Sequence, residues 1–200
     1  MDDFSFDDDA AIERLMRFLA VAGITGQEQE IGQEVVRALK EIGVPARHMR
    51  FDRANERIPL PTQTGNLIVD VPGNRPGKRR LFMTHLDTVP LCAGVVPKRV
   101  GKRIVPHGAT ALGGDNRTGV ACLVTLIATL LERGLANGPF TFLFTVREES
   151  GLWGARHVDP ADLGRPEMGF KRGGPIWRIH IHLHIGTSRR EILTNHQTRF

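Results

Sequence analysis

The sequence predicts an α/β protein: a three-layer α/β/α domain around a mixed, mostly parallel sheet. Two observations carry this. Helical and strand patterns alternate along the chain from Asp9 to Phe170. Three apolar runs each end in a His or an acid: Phe82–Val89, Leu112–Val120 and Phe144–Gly151. Strands that lead apolar residues into polar ones at their ends are how open α/β sheets build ligand crevices. A chain of 200 residues is long enough for one domain with a real core.

The elements follow in order. Ile12, Leu15, Phe18, Leu19 and Ala22 have helical spacing, with Asp7 to Asp9 as N-cap and first-turn acids. Thr25-Gly-Gln-Glu28 reads as a capping box opening a second helix. That helix runs through Val35, Val36, Leu39 and Ile42 and stops at Gly43, with Pro45 beyond. Residues 47–52 suggest a short strand, and 54–65 a loop. Residues 66–71 and 80–84 read as strands joined by the turn signal Pro72-Gly73-Asn74. Thr118 to Leu131 is an almost wholly apolar helix, buried on most sides. Phe140 to Val146 is a buried strand, Gly151 to Val158 a short helix ended by Asp159-Pro160, and Met168-Gly-Phe170 begins another strand.

Composition narrows the function classes. The chain is 40% hydrophobic and 24% charged, ordinary values for a globular protein. The acidic start, Met-Asp-Asp-Phe-Ser-Phe-Asp-Asp-Asp, lacks the pattern of a secretory signal, and no apolar run is long enough to span a bilayer. Cys92 and Cys122 make no disulfide framework, so the expectation is a cytoplasmic, reduced protein. Residues 1–170 hold 21 basic and 21 acidic side chains, whereas residues 171–200 hold six basic ones and only Glu191 as an acid. The net charge of +5 therefore sits in the last thirty residues. A charge so placed argues against nucleic acid as the partner.

Three groups of residues carry chemistry. His85 and Asp87 lie two apart near a strand end and can face the same way. Asp87 then accepts the second imidazole N–H of His85, which fixes the tautomer of a metal-binding His. A strand-end His beside a solvated Asp is the other reading of this pair. Asp115 stands between Gly113-Gly114 and the long helix. Alone it reads first as an N-cap, although a carboxylate can also bridge two cations. Glu148 and Glu149 follow a buried strand directly. Adjacent carboxylates beside a core are costly without a cation, which favours function over a solvated loop. One can bind metal while the other takes a proton from water as general base. Imidazole and carboxylate donors without thiolates suit zinc, with manganese or cobalt as substitutes.

Together the three segments resemble the dinuclear-zinc exopeptidase and deacylase family that includes peptidase T, carboxypeptidase G and acetylornithine deacetylase. Thr84-His85-Leu86-Asp87-Thr88-Val89-Pro90 is similar to its His-x-Asp element. Gly114-Asp115-Asn116 with Gly119 is similar to its Gly-x-Asp element, and Glu148-Glu149 with Gly151 and Gly154 to its Glu-Glu element. The likeness covers roughly residues 8–170 and leans toward peptidase T. It implies two zinc ions, with His85 on one, Asp115 bridging and Glu149 on the second. It makes Asp87 the residue that orients His85 and Glu148 the general base. The implied activity is removal of the N-terminal residue of short peptides by metal-activated water. A non-catalytic fragment with weak metal binding, and an amino-acid deacylase, are the alternatives.

The resemblance also implies an Asp about two dozen residues after the Glu pair and a distal His beyond an inserted lid or dimerisation domain. Lys171-Arg172-Gly173-Gly174 stands where that Asp is expected, and no Asp follows Asp162. The expected organisation is therefore a partial catalytic domain, 1–170, and an aberrant basic tail, 171–200, that packs poorly against it. Lacking a dimerisation domain, the chain is expected to be monomeric. His180, His182 and His184 alternate as on one face of a strand, which offers a competing ligand set.

Overall fold

A computed structural model of the chain describes residues 7–172 and 177–180, with side chains for residues 7–171. Helix α1 spans Asp8–Leu19, and the Asp7 carboxylate caps it by accepting from the Ala10 N–H at 2.9 Å. Helix α2 (Gln29–Glu41) buries Ile31, Val35, Ala38 and Leu39 along one face. Helix α3 (Gly114–Glu132) starts from Gly113 in the left-handed region and is buried on most sides. Helix α4 is a short turn, Trp153–His157. No helix among the described residues is long and apolar enough to cross a membrane.

The main sheet has six strands: β1 (Met49–Phe51), β2 (Leu67–Val71), β3 (Arg80–His85), β6 (Phe140–Thr145), β7 (Met168–Arg172) and β8 (Trp177–His180), in the order β1-β2-β6-β3-β7-β8. Strands β4 (Pro97–Val100) and β5 (Arg103–Pro106) form a separate antiparallel hairpin. The sheet is mixed as expected, but its parallel part is confined to the centre. Strand β3 runs parallel to β6 and β7, while β1–β2, β2–β6 and β7–β8 are antiparallel. Strands β2 and β3 are not neighbours despite the short link at Pro72–Asn74, because β6 lies between them. A twofold side-chain period divides the core. Leu67, Val69, Val71, Phe140, Phe142 and Phe144 face the helices α1, α2 and α3, and Ile68, Leu81 and Leu143 face Leu163 and Val158.

Two sequence expectations need correction. The capping box at Thr25–Glu28 does not form. Glu28 occupies the N-cap position of α2 without a capping bond, and its fully buried carboxylate accepts from the N–H groups of Gly26 (2.7 Å) and Arg147 (3.0 Å). Thr25 Oγ1 meets Ser150 Oγ at 3.1 Å. Both residues therefore hold the loop after β6 rather than the helix start. Nor does the tail stand wholly apart. Trp177–His180 pairs antiparallel with β7, in register from Gly169↔His180 to Arg172↔Trp177. The free edge of β7 offers unpaired N–H and C=O groups, and a following strand satisfies them whatever its charge. The side chain of His180, and His182 and His184 entirely, lie outside the described residues.

Candidate metal centre

The parallel centre of the sheet aims three chain segments at one edge. Register pairs His85 with Thr145 across β3–β6, and Met83 with Lys171 across β3–β7. Asp87 and Glu148–Glu149 therefore emerge side by side, and α3 brings Asp115 over them from its first turn.

His85 is 2% exposed and Asp87 is fully buried. The His85 Nδ1 lies 3.0 Å from the Asp87 carbonyl oxygen and 3.3 Å from its carboxylate. The Asp87 carboxylate also accepts the backbone N–H groups of Glu148 and Glu149, each at 3.0 Å. One buried acid thus orients the imidazole and clamps the loop bearing both glutamates. Burial alone would raise the Asp87 carboxyl; the hydrogen bonds from His85 and from the Glu148 and Glu149 N–H groups outweigh it and hold the group below its usual range.

With Nδ1 engaged, the His85 Nε2 faces the carboxylates. It lies 3.2 Å from Asp115 Oδ1 and 4.0 Å from Glu148 Oε2. One donor atom each from His85, Asp115 and Glu149 falls within 4.8 Å of the others. Burial draws the His85 pKa down, yet Asp115 and Asp87 outweigh it and raise the group to about 9. Burial pushes the Glu149 carboxyl up against the pull of His85, and the charge on Glu148 adds to the rise. An imidazole and several carboxylates crowded at one strand edge form a donor set suited to a cation. Nitrogen and oxygen donors of this kind fit zinc, manganese or cobalt.

Five residues singled out in the sequence meet here: His85, Asp87, Asp115, Glu148 and Glu149. Three others were not read as neighbours of this crevice. Lys171 opens the segment that stands where the resemblance implies an Asp, and its ammonium lies 3.3 Å from Glu148 Oε1. Glu28 pins the Arg147 N–H beside the glutamates. Arg117 is almost fully buried, and its Nη2 donates to the carbonyl oxygens of Val21 (3.3 Å) and Gly23 (3.4 Å). The Gly23 carbonyl also accepts the Thr88 N–H at 3.1 Å, so Arg117 braces the segment that follows Asp87. Burial lowers the Arg117 pKa to about 10, with Asp87 opposing the fall. A lone guanidinium at the head of an apolar helix was the signal available for it.

The fold and the site define an α/β domain with a polar, metal-suited crevice at the ends of its central parallel strands. Residues 81–192 match Peptidase family M20/M25/M40, and the chain belongs to that family. It is 29% identical to "Uncharacterized protein YqjE" of Bacillus subtilis over 149 residues, covering 74% of this chain and 38% of the relative. It is 26% identical to Peptidase T of Escherichia coli, covering 49% of this chain and 32% of that protein. The crystal structure of aminopeptidase PepT from Bacillus cereus superposes with a TM-score of 0.77 at 28% identity, over 84% of this chain and 44% of that one. The chain thus spans about a third of the length of these curated relatives.

Proposed function

We propose that the crevice is the catalytic centre of a metal-dependent aminopeptidase of the peptidase T kind, acting on the N-terminal residue of short peptides. The convergence of His85, Asp115 and Glu149 within 4.8 Å carries the reading. These three would hold the metal. A bound divalent ion would polarise the scissile carbonyl and acidify a water. Asp87 keeps Nε2 of His85 turned to the site by engaging Nδ1. Glu148 is 23% exposed, close enough to the donors to receive a proton from water and pass it to the leaving amine. The likeness to Peptidase T and to an aminopeptidase PepT supports peptides over acylated amino acids as substrates.

The division into a catalytic part, 1–170, and a foreign tail, 171–200, goes with this proposal. It rests on the charge break and on Lys171; the family match itself runs on to residue 192. A monomeric state and a cytoplasmic location are further parts of the proposal.

The test is binding first, then turnover. Zinc titration of the purified chain should show an ion whose binding is lost in His85→Ala. Long incubation with a tripeptide should release its N-terminal residue slowly, and a chelator should stop it. Cleavage of an N-acyl amino acid with the tripeptide untouched would instead establish the deacylase. Zinc binding with no hydrolysis of either would leave a non-catalytic metal-binding fragment.

A further inference from the structure

Among the described side chains, the ammonium of Lys171 brings a positive charge to the crevice beside Glu148. Strand β7 places it there by register. Lys171 pairs with Met83, and Met83 shares a strand face with His85 two residues on. The side chain reaches Glu148, with Nζ 3.3 Å from Oε1, while the other oxygen of Glu148 lies 4.0 Å from His85 Nε2. Glu148 therefore sits between Lys171 and the three clustered donors. Lys171 is about one-third exposed and Glu148 less than that, so the pair is partly withdrawn from water.

The count of ligands then points to one ion. Among the described residues there is one cluster able to hold a metal, and it offers three side chains. Three protein ligands with an open position make a complete catalytic site for one ion. Asp115, Glu148 and Glu149 bring three negative charges to the opening of the crevice. A second divalent ion would have to enter beside Lys171, against the repulsion of two cations at close range.

We infer that this is a one-ion centre, in which the Lys171 ammonium, held by Glu148, takes the place of a second divalent cation. The inference rests on reading His85, Asp115 and Glu149 as metal ligands.

Metal stoichiometry tests it. The full chain, stripped of metal, is titrated with Zn2+ by calorimetry and with Co2+ by absorption, alongside Lys171→Met, Lys171→Gln, Lys171→Arg and His85→Ala. The wild type and Lys171→Arg should bind one ion. Removing the charge in Lys171→Met or Lys171→Gln should tighten that ion about tenfold or admit a second one. Two ions bound by the wild type would overturn the inference while leaving the ligand reading intact. So would stoichiometry and affinity unchanged in both neutral variants, each shown to be folded by circular dichroism. No ion bound by the wild type, or binding that survives in His85→Ala, would defeat the ligand reading and the inference with it.

Discussion

At Asp87 a single buried carboxylate serves three partners, so its replacement separates charge from shape. Asn is nearly isosteric, but its amide nitrogen cannot accept the Glu148 or Glu149 N–H that the lost oxygen served. A buried donor left without a partner costs about 1–3 kcal/mol. Asp87→Asn should lose stability in that range by denaturant titration. Partners that orient a metal-binding His are worth about 10–100-fold in metal affinity, and zinc binding should weaken by that order. A variant as stable and as tight as wild type would mean that Asp87 merely fills space. His85 gives a second prediction. Its folded pKa of about 9 lies above the ordinary 6.5. In the metal-free chain its contribution to stability is full below about pH 6.5. It is lost as pH rises through about 9. At pH 7 the imidazole therefore carries a proton that an incoming metal must displace. Calorimetry in buffers of different ionisation enthalpy should show about one proton released per ion. A His85 titrating near 6.5 by NMR would contradict this.

On the scale of elements, the loop after β6 is where sequence and structure part most instructively. The strands and helices were legible because burial enforces their periods: Phe140, Phe142 and Phe144 alternate with residues of the opposite face. The hairpin β4–β5 was not, because none of its residues is fully buried and they carry no such period. Glu28 was misread because a capping box and an inward-turned carboxylate look identical as letters; only the distant Arg147 N–H distinguishes them. Glu28→Ala should strip acceptors from two N–H groups and cost about 2–4 kcal/mol, while Glu28→Gln keeps an acceptor and should cost less. Equal losses would show that charge, not hydrogen bonding, is what matters there. The motif glycines have a steric reason. A Cβ at Gly119 would collide with Asn116 Oδ1 and Thr84 Oγ1, and one at Gly154 with Asn66 Oδ1 and the Val146 carbonyl. Gly119→Ala should therefore cost about 1–3 kcal/mol. It should also weaken zinc binding, since it displaces the turn that carries Asp115.

For the whole molecule the question is how far a convergent donor set makes an enzyme. That His85, Asp87, Asp115, Glu148 and Glu149 would converge could be read from the sequence, because motif order and spacing survive without structure. What Lys171 does there could not, since it depends on β7 lying beside β3 rather than on any spacing. The crevice is steeply graded: His85 is 2% exposed at its floor and the Asp115 side chain 57% at its rim. Water at such a rim screens the charges that would stabilise a developing oxyanion. Positioning is the other requirement, and small misplacements cost about 10²-fold in rate. Lys171 compounds this by engaging Glu148 Oε1 at 3.3 Å, which leaves only Oε2, 4.0 Å from His85 Nε2, on the side of the donors. A well-placed general base contributes about 10²–10⁴-fold, and Glu148 so held should contribute far less. Zinc-loaded chain should therefore hydrolyse a tripeptide slowly, and Glu148→Gln should lower that rate by less than about tenfold, where a well-placed base would show at least about 10². Rapid hydrolysis abolished by Glu148→Gln would show that Glu148 leaves Lys171 when substrate binds, and that this chain orders a complete catalytic site.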